Sequence, residues 1–395
     1  MRGNLDTVNI LFTRFPLESI YGGAEVQTLS LMKGLRERGH EVMFLGSCPV
    51  LLEKMKELGM QNKELRIGDP PVTKWGAVSF LWRRFGMREK ITNPLPQGEG
   101  NVICMLSLSE KLLLTDWAVA QGIRVFWIEH DRIGRWLRWN PWLPRLRRLS
   151  RLATTIVVSD LSKRIYVKEL GFGPEHIVVI PNGIDVEKFC PRTMTHCRPS
   201  WLTAFAPQGD KFHIGCIARL SPEKGVDLLI EAIKDLPNVH LTIVGAGCEE
   251  DKLRRMIDVA NSTLRLRSGQ ATQELNNSIT LLRSAPNIAA FYRTLDIFVL
   301  PSRDHDPCPL APIEAMACGI PVIMTDACGT AEYVESEKEA IIVTANSAAA
   351  LREAILRLQN DTDLRRSLAR CGPGIVEERF SMERMVGKYE KLLRG

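Results

Sequence analysis

Leu300-Pro-Ser-Arg-Asp-His-Asp-Pro-Cys-Pro-Leu-Ala-Pro-Ile-Glu-Ala-Met-Ala-Cys-Gly-Ile-Pro-Val322 reads as strand, loop, helix, glycine stop and strand. The run Ile297–Leu300 is apolar throughout, as a strand buried on both faces must be. Gly319 suits a helix end because it adopts left-handed backbone without a steric penalty, and a second apolar strand starts at Val322. The loop between is crowded with prolines and charges where a short link would be the default. Asp306 stands on it, and Glu314 follows in the helix. Ionised carboxylates accept paired O–H donors, so one suits sugar hydroxyls and the other a ribose diol. Taken as a plain polar helix residue, Glu314 would need no ligand.

The same rhythm runs outward in both directions, which is the pattern of parallel α/β architecture. Toward the N-terminus strands are expected at Val8–Thr13, Glu41–Leu45, Val102–Leu106, Arg124–Ile128, Thr154–Val158 and Ile177–Ile180. A second series is expected at His213–Ala218, His240–Val244, Ile279–Leu282, Ile297–Leu300, Val322–Met324 and Ile341–Val343. A helix is expected from Gly23 to Arg38 with Gly39 as its stop. Pro181 to Lys211 lacks sustained periodicity and carries the connection. The expected organisation is a Rossmann-like domain over 1–190, a linker over 191–211 and a second Rossmann-like domain over 212–375. A C-terminal helix within 376–395 would return to the first domain. Two doubly wound sheets facing across a cleft would bind a ligand at the carboxyl ends of their strands. Asn93–Gly100 and Arg265–Asn277 interrupt the rhythm and read as surface insertions.

Composition supports this reading. At 395 residues with 45% apolar and 25% charged side chains, the chain has material for two cores. It has no apolar run of the roughly 18 residues that a membrane span needs, and Met1–Leu17 has no secretory pattern. Ten cysteines occur without a C-x-x-C pair, which reads as a reduced, cytoplasmic protein with no disulfide framework and no zinc site. The net charge of +6 is local. Residues 1–190 hold 27 Lys/Arg against 20 Asp/Glu, and the surplus equals the seven arginines from Arg132 to Arg151.

Two further motifs carry chemistry. Gly22-Gly23-Ala24-Glu25 follows the first strand, where paired glycines let backbone N–H groups approach a phosphate at a helix N-terminus. A plain strand-to-helix turn would use the same residues. In Ile217-Ala-Arg-Leu-Ser-Pro-Glu-Lys-Gly225, Arg219 and Lys224 stand between a strand end and a helix N-terminus. Two cations there suit a diphosphate, although a solvated loop would also accommodate them.

Together these segments resemble the retaining glycosyltransferases of family 4, within the GT-B superfamily. The carriers are Gly22–Glu25, Ser159-Asp160, Val179-Ile-Pro-Asn-Gly-Ile-Asp185, Arg219 with Lys224, Leu241-Thr-Ile-Val-Gly-Ala-Gly247 and the Asp306–Glu314 block. The resemblance implies that Arg219 and Lys224 neutralise the donor diphosphate without a metal or other cofactor. It implies that Glu314 holds the ribose, that Asp306 holds the donor sugar, and that Leu310 lies in the donor site. Gly22 and Gly23 would serve the phosphate and the acceptor side. His130, in Ile128-Glu-His-Asp131, matches the family's active-site histidine near the sugar; standing alone, a histidine there reads as structural. The family pattern usually has Glu where Asp306 stands, one methylene longer, and Phe-Gly where Cys308 and Pro309 stand. Pro309 brings no N–H to a ligand.

The implied partners are a UDP-, GDP- or ADP-sugar and a glycan or lipid-linked acceptor of cell-envelope or exopolysaccharide type. Two other readings share the fold: a sugar-nucleotide 2-epimerase, and a catalytically silent nucleotide-binding protein. Arg132 to Leu152 interleaves the seven arginines with Trp136, Trp139 and Trp142. With Arg135 and Arg138 it could lie on the anionic inner face of a membrane on the acceptor side; equally, it could form a core helix with a cationic outer face. No nucleic-acid motif accompanies it, so nucleic acid is not expected as a partner.

Overall fold

The computed structural model describes residues 7–15, 22–68, 70–71, 73–82, 101–130, 135–191, 211–234, 236–267 and 278–395. The chain divides into two compact units, Met1–Gly183 with Met382–Gly395, and Ile184–Ser381.

The first unit is built on seven parallel strands: β1 (Asn9–Arg14), β2 (Glu41–Gly46), β3 (Gln61–Glu64), β4 (Asn101–Met105), β5 (Arg124–Glu129), β6 (Thr154–Val157) and β7 (Ile177–Val179). Their order is β3-β2-β1-β4-β5-β6-β7. Edge strand β3 is the one that the sequence did not announce. Gln-Asn-Lys-Glu carries no apolar residue and is largely exposed, so pairing with β2 alone makes it a strand. Both faces of the sheet are covered, one by Leu113, Trp127 and Leu146, the other by Phe12, Phe44 and Tyr389. The helix Gly23–Glu37 ends before Gly39, which has φ +88°.

The C-terminal helix Met382–Arg394 belongs to this unit. Met385, Val386, Tyr389 and Leu393 are buried in its core. Gly34 leaves room for it, since a Cβ there would meet Val386 Cγ2 at 2.6 Å. Arg38 and His40 both bond Glu390, at 2.6 and 3.2 Å.

The second unit has six parallel strands: β8 (Phe212–Ile217), β9 (Val239–Val244), β10 (Ser278–Leu282), β11 (Ile297–Leu300), β12 (Val322–Thr325) and β13 (Ile341–Val343). Their order is β10-β9-β8-β11-β12-β13, the doubly wound arrangement of dinucleotide-binding sheets. Two domain limits differ from expectation. The first division falls after Gly183 rather than at 190, because Ile184 N donates to Phe380 O and Arg293 holds the carbonyls of Lys188 and Cys190. The return falls at Met382 rather than 376, because Thr362–Phe380 continues as one helix of the second unit. Of the expected linker 191–211, only Pro191 and Lys211 are described. The insertion 93–100 and most of 265–277 lie outside the described residues.

Candidate functional site

In the second sheet the connections run one way from β8 and the other way from β11, so the crevice outside the carboxyl ends of these neighbours is the topological switch point. The two segments that leave it are 218–225 and 301–309, which carry the motifs read from the sequence. They touch at Gly225, whose φ is +64° and where an added Cβ would run into Pro301 O. Arg303 N donates to Glu223 O at 2.7 Å, and the Arg303 guanidinium bonds Asp227 Oδ2 at 2.8 Å.

The pairing this creates differs from the one expected. Lys224 Nζ lies 2.6 Å from Asp306 Oδ2, which also accepts from Ser302 Oγ at 2.8 Å. Asp306 is 7% exposed. A carboxylate so buried requires a partner, and the nearest cation supplies it. Asp306 is therefore not an uncommitted sugar ligand, and Lys224 is not an isolated diphosphate clamp. The loop is fixed around them: Asp306 N donates to Ala327 O at 3.0 Å and Gly329 N to Asp306 O at 2.8 Å. Arg219 is the more open cation. Its side chain is 63% exposed, and its Nη2 stands 3.9 Å from Glu223 Oε1, beyond hydrogen-bond reach.

Glu314 sits in the helix Leu310–Ala317, which Leu310 opens with its side chain half-buried. Pro309 at the cap and Pro312 in the first turn bring no N–H, so this N-terminus offers an anion fewer donors than most. Tyr292 Oη donates to Glu314 Oε2 at 2.9 Å. Tyr292 is fully buried and packs edge-on against Phe189 and Phe298, so its hydroxyl has little freedom. Burial pushes the Glu314 carboxyl above the usual range, while the Tyr292 hydrogen bond and the Lys188 charge act against that. Neither Tyr292 nor Ser302 was singled out from the sequence. The only hint was their chain proximity to β11.

Gly22 and Gly23 lie in the first unit. The Gly22 N–H is already donated, at 3.1 Å, to Glu25 Oε2, whose other oxygen accepts from Arg14 at 2.5 Å. The expected phosphate donor is thus engaged in capping its own helix. His130 follows β5 directly and is half-buried. Close in sequence, Glu129 pairs with Lys111 at 2.7 Å. The adjacent Glu110 is fully buried and receives the amides of Leu106 and Ser107, and burial pushes its carboxyl up to about 7. These charges at the carboxyl ends of β1, β4 and β5 were missed because each alone looks like an ordinary surface residue. Two cavities of this unit, about 240 and 400 Å³, lie instead at the amino ends of its strands.

The arginine-tryptophan stretch divides. In the helix Leu143–Ser150, Leu143, Leu146 and Leu149 are buried, and its arginines bond their own fold. Arg145 and Arg148 reach Asp116 at 3.1 Å, and Arg147 reaches Leu170 O at 2.5 Å. Trp142 is buried, donates to Ala77 O at 2.9 Å and packs edge-on against Phe80. For this part the core-helix reading holds, and Trp142 is not available to a membrane or an acceptor. Arg138 pairs with Glu169, whereas Trp139 is 87% exposed. Arg135 opens the short helix Arg135–Trp139, but its side chain and that of Trp136 are outside the described residues.

Comparison with known families agrees with this geometry. The model for glycosyltransferase family 4 matches residues 21–188, and that for glycosyl transferases group 1 matches residues 199–373. The chain belongs to glycosyltransferase family 4. Among curated members, it is 27% identical over 254 residues to a GDP-mannose-dependent monoacylated α-(1-6)-phosphatidylinositol monomannoside mannosyltransferase of Corynebacterium glutamicum, covering 60% of this chain and 61% of that one. It is 27% identical over 243 residues to a UDP-Gal:α-D-GlcNAc-diphosphoundecaprenol α-1,3-galactosyltransferase of Escherichia coli, covering 60% and 59%. The family 4 chain thus spans about three-fifths of the length of these two relatives. Its fold is that of GT-B proteins. It matches the Anabaena protein HepE, solved in complex with UDP and glucose, with a TM-score of 0.78 at 20% identity over 98% of this chain and 99% of that one.

Proposed function

We propose that this family 4 chain transfers a sugar from a UDP-, GDP- or ADP-sugar to a glycan or lipid-linked acceptor of cell-envelope or exopolysaccharide type. The observation that carries the proposal is the meeting of Lys224, Asp306 and Ser302, with Arg219 open beside them, at the switch point of the second sheet. The relatives whose names describe transfers from GDP-mannose and UDP-Gal support the donor class, and one of those names contains a diphosphoundecaprenol acceptor.

The chemistry is the one that the likeness to retaining family 4 enzymes implies. The bond between the anomeric carbon and the diphosphate oxygen breaks, and its electron pair leaves with the nucleoside diphosphate. The oxocarbenium-like centre accepts the acceptor oxygen on the face that the diphosphate vacates, so configuration is retained. The acceptor proton passes to the departing phosphate. Catalysis then rests on stabilising the developing phosphate charge. Arg219 and Lys224 supply that stabilisation, so the step needs no metal. Asp306 holds Lys224 in place, and Glu314, with Oε1 left over from its bond to Tyr292, accepts the ribose hydroxyls.

Donor hydrolysis across a panel of nucleotide sugars, with nucleotide titration alongside, tests the proposal. Wild-type chain should hydrolyse one donor class. Glu314→Ala should weaken donor binding by roughly 1.5–3 kcal/mol, the worth of a hydrogen bond to a charged group. Failure of UDP, GDP and ADP all to bind would overturn the reading, and so would wild-type affinity in the Glu314 variant.

A further inference from the structure

Helix 74–82 of the first unit turns the wrong side outward for a soluble protein. Ala77 and Phe80 face the core, as the bond from Trp142 to Ala77 O and the Phe80–Trp142 contact require. Trp75, Val78 and Trp82, spaced three and four residues apart on the opposite face, are 84%, 50% and 82% exposed, and Leu81 is 46% exposed. Trp139 is brought alongside, because the next residue, Asn140, donates to Pro71 O at 2.9 Å. Two tryptophans above 80% exposure on one helix face, with a third in the segment bonded just ahead of that helix, are a patch, not scattered surface apolar residues.

The charge of the chain segments that carry these residues identifies what covers the patch. Residues 70–88 contain Lys74, Arg83, Arg84 and Arg88 and no acid, and residues 132–159 contain seven arginines and no acid. Five of the chain's eight tryptophans fall in these two segments. Some of that charge is used internally, by Asp116 and Glu169. Lys74 stays exposed on the helix itself. Tryptophan favours the boundary between lipid headgroups and acyl chains, and a cationic surround favours anionic lipid. A protein partner would have to match an apolar face borne on cationic segments, whereas an anionic bilayer presents both complements at once.

We propose that helix 74–82 and Trp139 form a docking face that seats the first unit on an anionic bilayer. The seat is this helix, not the arginine helix Leu143–Ser150, whose apolar side is already buried. The inference does not depend on the transferase reading.

The test is flotation of the full-length protein with vesicles of phosphatidylcholine alone and of phosphatidylcholine mixed with phosphatidylglycerol, with tryptophan emission recorded in parallel. Binding to the mixed vesicles is expected, with a blue shift and a decline as salt rises. Trp75→Ser and Trp139→Ser should each weaken it by roughly tenfold, the loss of one large side chain from an apolar environment. Because both side chains are exposed, thermal stability and donor hydrolysis measured without vesicles should not change. Absence of flotation overturns the proposal, as does flotation that survives both substitutions. A concentration-dependent dimer in sedimentation, dissociated by the same substitutions, would assign the face to a second copy instead.

Discussion

Tyr292 shows how one hydroxyl sets the working range of a carboxylate. In the proposed reading Glu314 must be ionised to accept two ribose hydroxyls, yet its burial favours the neutral acid. The Tyr292 hydrogen bond favours the charged form. Tyr292→Phe should therefore raise the Glu314 pKa, so that donor affinity is lost at a higher pH as the solution is acidified. Titration calorimetry of the donor against pH checks this; a variant whose acid limb coincides with wild type would show that Tyr292 only packs. Lys224→Met should cost stability as well as affinity, because it strands Asp306 without its cation. Removing one member of a buried pair costs about 3–5 kcal/mol, and adding Asp306→Asn should restore much of it, as denaturant midpoints can show. The two motifs that contain Lys224 and Asp306 were legible in the sequence, but the pairing of these residues was not. Which cation meets which carboxylate depends on how two loops 82 positions apart approach one another.

Elements were legible wherever burial imposed a pattern. Strand β11 is apolar throughout, and β8, β9 and β12 are mostly so, because both faces of a parallel sheet are covered. Strand β3 was invisible because an edge strand with little burial needs only backbone partners. The engaged amide of Gly22 was likewise hidden, since Gly-Gly reads the same whether its N–H faces a ligand or Glu25. Gly225, by contrast, states its role in its backbone. Gly225→Ala should destabilise the second unit by about 1 kcal/mol or more, since alanine resists positive φ and its Cβ would push Pro301 away. A lowered melting temperature together with weakened donor binding is the expected result, because the same shift moves Lys224 from Asp306.

At the scale of the molecule, acid is the expected weakness. His213 and His240 are largely buried around Thr242, which both bond, at 2.9 and 3.1 Å, and each is pushed down to about 4, chiefly by burial. Lys211 adds to the effect on His240, while Asp296 bonds the backbone of His213. In the unfolded chain both imidazoles protonate near the ordinary value of about 6.5. Between these limits the unfolded state holds more protons, so stability present above about 6.5 is lost as pH falls toward 4. Urea midpoints at neutral and mildly acidic pH should show the decline, and His240→Gln should flatten it.

The placement of Met382–Arg394 has a consequence for how the protein is made. The helix fills a groove beside Gly34 and Arg38, and the Arg38–Glu390 pair spans 352 positions. A ribosome therefore releases the whole second unit before the first can be completed. Until then, the seats of Val386 and Tyr389 remain open and apolar. A nascent chain stalled anywhere before its last turns would expose them to other chains, which makes this interval the one in which chaperones have most to do.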